Sequence, residues 1–174
     1  LLVSNGARHQ IQPAFHLGPT VDPEDDGQPD PDALGDDNNA DDEDGVVFTS
    51  LLLPGQTASV DVEASGAGKL DAWIDFNADG DWADPGEKIF ESQTLMTGVN
   101  LLSFDVPSGA TTGKIFARFR FSSTGGLSFV GPANDGEVED YRVTITPTVP
   151  TITMQPQSQT VTVGANVVFV VTAT

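Results

Sequence analysis

Apolar residues recur along this chain with a period of two rather than three to four. Short runs alternate, or are rich in β-branched and aromatic residues: 46-VVFTSLLL-53, 57-TASVDVEA-64, 70-LDAWIDF-76, 99-VNLLSFDV-106, 114-KIFARFRFS-122 and 138-VEDYRVTIT-146. Turn signals separate them at Pro54-Gly55, Gly66 to Gly68, Pro107-Ser108-Gly109 and Gly125-Gly126. In 114-KIFARFRFS-122, Ile115, Ala117, Phe119 and Phe121 exchange faces with polar neighbours, while Phe116 falls on the polar phase. No segment keeps apolar residues at i, i+3, i+4 and i+7, so long helices are not expected. Six or more short strands at this spacing predict an all-β protein, an antiparallel β-sandwich of jelly-roll-like type, with long acidic loops and a further β segment at the C-terminus.

Charge divides the chain. Residues 21–45 hold 12 of the 26 acidic residues and no Lys, Arg or His, and nothing charged follows Arg142. Three parts result: an acidic, loop-rich part at 1–45, a sandwich core at 46–147, and an uncharged linker and β segment at 148–174. The chain starts at Leu and stops inside an apolar run, and it reads as a piece of a longer polypeptide. A formal charge of −19 on 18.2 kDa argues against nucleic acid and against insertion into an anionic membrane. Cations are the natural partners. With no cysteine, disulfides and zinc–thiolate sites are excluded.

The stretch 75-DFNADGDWADPGEK-88 gives that cation an address. Asp75, Asn77, Asp79, Gly80 and Asp81 fit the first half of an EF-hand-type calcium loop, in which oxygens at alternate positions converge as the chain curls and Gly permits the sharp turn. The bidentate Glu expected at position 12 is replaced by Gly86, with Glu87 one residue later. The predicted ligands are Asp75, Asn77, Asp79, Asp81 (through its backbone carbonyl) and Glu87, with Asp84 bound through water. A solvated acidic turn is the alternative. In 36-DDNNADDEDG-45, Asp36, Asp37, Asp41, Asp42, Glu43 and Asp44 crowd together without counter-ions, and Asp22 and Glu24 are placed to fold back onto the same ion. The competing reading is a solvated acidic run.

The segments 135-DGEVEDYRV-143, 72-AWIDFNADGDWADPGEKI-89, 117-ARFRFS-122, 41-DDEDGV-46 and 5-NGARHQI-11 together resemble the GEVED domain, a module of very large secreted or surface-attached bacterial proteins. The resemblance spans roughly residues 4–146. It departs from the family pattern in lacking the aspartate-rich DFGDAPD-like segment that usually precedes the module. It implies a repeated extracellular module rather than an enzyme. Within the motif, Glu137 and Glu139 share one face of a strand and Asp140 takes the other. Arg118 and Arg120 share a face of their own strand, which makes an Arg–carboxylate ladder to Glu137 or Glu139 one reading and metal ligation the other. Asp135 and Asp140 suit either role.

The tail 148-TVPTITMQPQSQTVTVGANVVFVVTAT-174 resembles the opening strands of a bacterial immunoglobulin-like repeat. Its apolar stretch Val167, Val168, Phe169, Val170 and Val171 is expected to form a strand with a sticky, uncharged edge. That edge belongs either to a truncated repeat or to a strand donated to an identical subunit in a fibre. Catalysis finds little support: there is no G-x-S-x-G, and His9 reads as a hydrogen-bonded loop residue. Trp82, inside the acidic loop, is a candidate contact for a cell-surface glycan, and Trp73 is expected in the core. Two functions are therefore expected: a calcium-stabilised structural or adhesive module outside the cell, or a carbohydrate-binding module.

Overall fold

The computed structural model describes residues 5–21, 43–150 and 152–173. Its strands, in chain order, are β1 (Arg8–His9), β2 (Val46–Phe48), β3 (Thr57–Ala64), β4 (Gly68–Ile74), β5 (Lys88–Leu95), β6 (Gly98–Asp105), β7 (Gly113–Ser122), β8 (Pro132–Ala133), β9 (Glu137–Ile145), β10 (Ile152–Met154) and β11 (Thr172–Ala173). Among the described residues there is no helix, so none is long and apolar enough to cross a membrane. The all-β prediction holds. One sheet runs β2-β3-β6 and the other β5-β4-β7-β9, every pairing within them antiparallel.

The two sheets face each other across the residues that the alternation marks. Ala58, Val60, Val62 and Ala64 of β3 are buried, as are Leu70, Ala72 and Ile74 of β4, and Ile115, Ala117, Phe119 and Phe121 of β7. Phe48 of β2 bridges the layers, its ring 6.4 Å from Phe104 on its own side and 6.0 Å from Phe119 on the other. Burying a ring of this kind contributes on the order of 2–3 kcal/mol. The apolar run 46–53 is a strand only as far as Phe48; Leu51 is exposed, and Leu52 turns inward to a parallel bridge with Ile145.

The outer face of the four-stranded sheet is buried too, by residues 123–131 folded across it. Trp73 is buried, as the sequence suggests. It is only 3% exposed, but it lies on the face of β4 opposite Arg118, against Phe129, rather than between the sheets. Beside it Arg120 is fully buried and all five of its donors are used. Nε donates to His9 Nε2 (3.0 Å), Nη1 to the carbonyls of Ser128 (2.6 Å) and Val130 (3.0 Å), and Nη2 to those of Arg8 (3.3 Å) and Gly131 (2.9 Å). Burial lowers its pKa to about 10, so it stays charged at neutral pH. Because His9 Nε2 accepts from Arg120, its proton sits on Nδ1, which donates to the Asp135 carbonyl (2.7 Å). One neutral imidazole thus pins β1, which pairs with β8, to the sheet.

Burial, with Arg120 and more distantly Arg118 alongside, drives the His9 pKa from 6.5 to about 4, against the pull of Asp135. The folded protein therefore refuses a proton that the unfolded chain accepts below its ordinary pKa. The contribution of this site is complete above about pH 6.5 and is lost as pH falls toward about 4, a total of roughly 3 kcal/mol. Urea denaturation at about pH 7 and about pH 4.5 measures it. His9→Gln, whose side-chain carbonyl accepts from Arg120 but does not titrate, is expected to flatten the fall.

Candidate metal centre

The loop 75–87 leaves the end of β4 and returns at β5. Its alternating polar residues curl it through bonds to its own backbone. Asp75 Oδ1 and Oδ2 accept from the amides of Asp79 (3.2 Å) and Gly80 (3.0 Å). Asp79 Oδ1 accepts from Asp81 N (3.2 Å), and Asp81 Oδ1 from Ala83 N (2.8 Å). Gly80 takes the left-handed φ of 94° that such a loop requires, and Ala78, at φ 61°, takes one that costs a non-glycine residue about 1–2 kcal/mol. The base is fixed to β7, with Asp75 N donating to Phe116 O (3.0 Å).

Carboxylates gather at both levels of the loop. At the surface, Asp79, Asp81 and Asp84 each present an oxygen within 4.8 Å of the others. Asn77 Nδ2 donates to Asp79 (3.0 Å) and Asp84 (2.7 Å). Beneath, Asp75 is 4% and Glu87 2% exposed. Glu87 Oε2 accepts from Asp84 N (3.3 Å), while its Oε1 is buried with no hydrogen-bond partner. Desolvation, together with the charges of Asp75 and Asp84, raises the Glu87 pKa against the opposing pull of the Asp84 and Asn77 amides. A bare carboxylate oxygen inside a protein calls for a proton or a cation. The surrounding donors are all hard oxygens, the set that Ca²⁺ prefers. Among the described residues Asp79, Asp81 and Asp84 are the carboxylates whose oxygens lie close enough together to share one ion; Asp75 and Glu87 lie beneath them, and Asn77 turns its amide nitrogen toward Asp79 and Asp84. Asp84, read from the sequence as a ligand through water, belongs to the surface cluster itself. Gly86, at φ 96°, is the turn that carries the extra residue before Glu87.

The other candidate ligands fall differently. Asp22, Glu24, Asp36, Asp37, Asp41 and Asp42 lie outside the described residues. Asp44 accepts from Thr20 Oγ1 (2.6 Å), joining the two ends of the acidic segment. Trp82 is half-buried: Arg118 stacks on its ring at 4.5 Å, Phe129 lies beside it, and its Nε1 donates to Phe116 O (3.4 Å). One ring face is thus occupied by a guanidinium. In the tail, β10 and β11 pair, whereas Val167, Val168, Phe169, Val170 and Val171 form no strand and are 37–71% exposed. A strand needs a backbone ladder, and this segment forms none among the described residues; its Val168 carbonyl accepts instead from the Gln159 side chain (2.7 Å).

The string from Asp135 to Tyr141 ties the segments around Leu17, Gly45 and Ser123 to the four-stranded sheet. Asp135 Oδ1 accepts from Ser123 N (2.8 Å). Gly136 has φ 82°, and a Cβ there would lie 2.0 Å from Phe121 O. Glu137, buried, accepts from Leu17 N (2.7 Å). Glu139, also buried, accepts from Gly45 N (3.0 Å) and from the Tyr141 hydroxyl (3.1 Å), which itself accepts from Val46 N (3.0 Å). Burial and the adjacent Glu139 charge raise the Tyr141 pKa, keeping that hydroxyl a donor. Asp140 takes a two-pronged ion pair from Arg118. Residues 69–144 match the family model of the GEVED domain. No significant match was found among curated proteins or solved structures.

Within this matched segment the ladder differs from the sequence expectation. Register sets Glu137 and Glu139 opposite Phe121 and Phe119 on the core face, and Arg118 and Arg120 opposite Asp140 and Val138 on the other. Side chains on opposite faces of a sheet do not pair, so Arg118 takes Asp140 and Arg120 takes His9 and carbonyls. Sequence reasoning also missed Asp71. Fully buried, it accepts from Ser92 N (3.1 Å) and Leu127 N (3.0 Å) and pairs with Lys88 (2.9 Å). Its outward phase between Leu70 and Ala72 was the available signal.

Gly136→Ala tests the strand geometry. The left-handed backbone and the collision with Phe121 O predict a loss of more than about 2 kcal/mol, read as a fall in the urea midpoint with unchanged m.

Proposed function

We propose that this chain is a calcium-stabilised structural module of an extracellular, cell-surface or secreted assembly, joined to identical copies by donation of its uncharged C-terminal strand. The observation that carries the calcium reading is Glu87, buried with one bare oxygen beside Asp75 and Asp84 at the base of the loop. The role is mechanical. An ion bound by Asp75, Asn77, Asp79, Asp81, Asp84 and Glu87 neutralises carboxylates that otherwise repel and fixes the β4–β5 connection, most effectively where calcium is abundant, as outside cells. The match to the GEVED family model supports this setting through the resemblance described above. The uncharged, exposed residues 167–171 support joining. Glycan binding through Trp82 is less well supported, because Arg118 covers one ring face.

Isothermal titration and thermal melts test the calcium reading. For an extracellular module with a Kd on the order of 10⁻⁴ M, about 10 mM calcium stabilises by about 2.7 kcal/mol. At roughly 2–4 °C per kcal/mol, Tm is expected to rise by about 5–11 °C and to return on addition of EGTA. Glu87→Gln should keep its metal-free Tm, since the amide carries no charge to bury, yet lose most of the calcium-dependent rise. Absence of both binding heat and a Tm shift in the native protein would overturn the calcium reading.

A further inference from the structure

The acidic loop does not end at its carboxylates. Trp82 lies in the chain between Asp81 and Asp84, two members of the surface cluster. Its Nε1 donates to Phe116 O (3.4 Å), the carbonyl that also accepts from Asp75 N (3.0 Å) at the base of the loop. Its ring centre is 4.5 Å from the Arg118 guanidinium and 6.3 Å from the Phe129 ring. Arg118 donates in turn to the Phe129 carbonyl (2.8 Å) and forks onto Asp140. Phe129 belongs to the covering segment 123–131, where it also meets Trp73. One indole therefore stands between the proposed ion ligands and the segment that closes the outer face of the four-stranded sheet. Resting on the calcium reading, we propose that the two are coupled: calcium in the loop and the seating of residues 123–131 favour each other through Trp82, a positioning residue for the ion site.

Repulsion supplies the coupling. Oxygens of Asp79, Asp81 and Asp84 lie within 4.8 Å of one another, and a cation among them turns three mutual repulsions into attractions. Without it the carboxylates gain by spreading, and the backbone that spreads Asp81 from Asp84 is the backbone that carries the indole. That stretch is braced rather than slack. Ala83 N is tied to Asp81 Oδ1 (2.8 Å), Asp84 N to Glu87 Oε2 (3.3 Å), and Pro85 fixes the next torsion. A shift of the loop is thereby passed to the ring. At the receiving end, none of residues 123–130 is fully buried, and their ties are mostly polar: Leu127 N to Asp71 (3.0 Å), Gly126 N to Ser92 Oγ (2.8 Å), and carbonyls to Arg118 and Arg120. A segment with so little apolar burial opens at low cost and responds to the loss of one aromatic contact. Linkage makes the effect reciprocal, so a change at the ring that never touches the ion must also change the affinity for it.

Hydrogen exchange of the full chain in about 10 mM calcium and in EGTA, beside calorimetric titration with calcium alone, tests the coupling. In the native protein calcium is expected to slow exchange over 75–87 and also at Leu127 and Gly131, whose amides bond to Asp71 and to Asn5 O (2.8 Å). Trp82→Leu keeps apolar bulk and every carboxylate. It is expected to retain the slowing at 75–87, to lose it at Leu127 and Gly131, and to weaken the calcium Kd roughly 5-fold. Arg118→Lys keeps the charge beside Asp140 but not the flat face, and is expected to behave alike; it decides the matter should Trp82→Leu lower the metal-free Tm. A ring that merely packs would lower Tm equally with and without calcium and leave Kd unchanged, which overturns the coupling. If calcium binds and slows exchange at 75–87 while Leu127 and Gly131 of the native protein do not respond, the coupling is wrong and the calcium reading stands. If calcium gives neither heat nor any change in exchange, both fall together.

Discussion

A carboxylate taken out of water must be met by donors or by a positive charge, and this chain has far fewer bases than acids, 7 against 26. The domain meets that constraint mainly with backbone amides. Glu137 is met by Leu17 N, Glu139 by Gly45 N, Asp75 by the amides of Asp79 and Gly80, and Asp71 by those of Ser92 and Leu127, with Lys88 added. Every one of these carboxylates is rooted in a strand or at its end, and most of the amides belong to the segments around it. Hydrogen bonds to a charged group contribute about 1.5–3 kcal/mol each. The acid-rich composition, unfavourable as net charge, thereby becomes the means of ordering long connections. The dependence runs both ways, because a loop that leaves takes with it the donors of a buried charge.

Arg118 extends this logic from single loops to their coupling. Its guanidinium pairs with Asp140 of β9, donates to the Phe129 carbonyl (2.8 Å) in the covering segment, and stacks on Trp82 of the acidic loop. Three connections that are distant in sequence meet on one planar cation, whose fixed fork and flat face suit a carboxylate and an aromatic ring at once. Arg120, two residues on, holds the same covering segment from below through carbonyls alone. The outer face of the β5-β4-β7-β9 sheet is therefore a second, polar interior.

That second interior marks the limit of what the sequence disclosed. Alternation at Ala58 to Ala64 and at Ile115 to Phe121 reported strands and their inward faces correctly, because the period of two depends only on local geometry. In the loop 75–87 the tight turn at Gly80 was legible too, since a glycine turn among alternating polar residues is a local pattern as well. The outer-face packing of Trp73, the burial of Asp71 and the partners of Arg118 and Arg120 were not, because each depends on register between strands and on a loop crossing the outer face. Phase alone puts Glu137 and Glu139 together and Asp140 apart, but only the pairing of Arg118 with Asp140 says which set meets the arginine. Likewise the run 46–53 is apolar at six of its eight positions, yet Ser50 turns to accept from Ser59 N (2.8 Å), and the strand ends before Leu51, which is exposed.

Surface charge follows from the same economy of bases. With three of the seven basic residues, Lys88, Arg118 and Arg120, committed to Asp71, Asp140 and the covering segment, the carboxylates outside the core far outnumber the remaining bases and repel like-charged bodies at distances up to the Debye length, about 8 Å in physiological salt. A contact between copies then has two physical routes: bridging cations, or surfaces that carry no carboxylate. The segment after Arg142 belongs to the second kind. Main-chain hydrogen bonds and alternating apolar side chains require no charge to form. A strand of this composition is indifferent to the body's repulsion at the joint, while the repulsion holds the rest of each body off its neighbour and favours an extended chain over a compact aggregate. Under the proposed donation, the acidic body and the neutral tail are complementary parts of one design: one keeps copies separate everywhere except at the place where the other joins them.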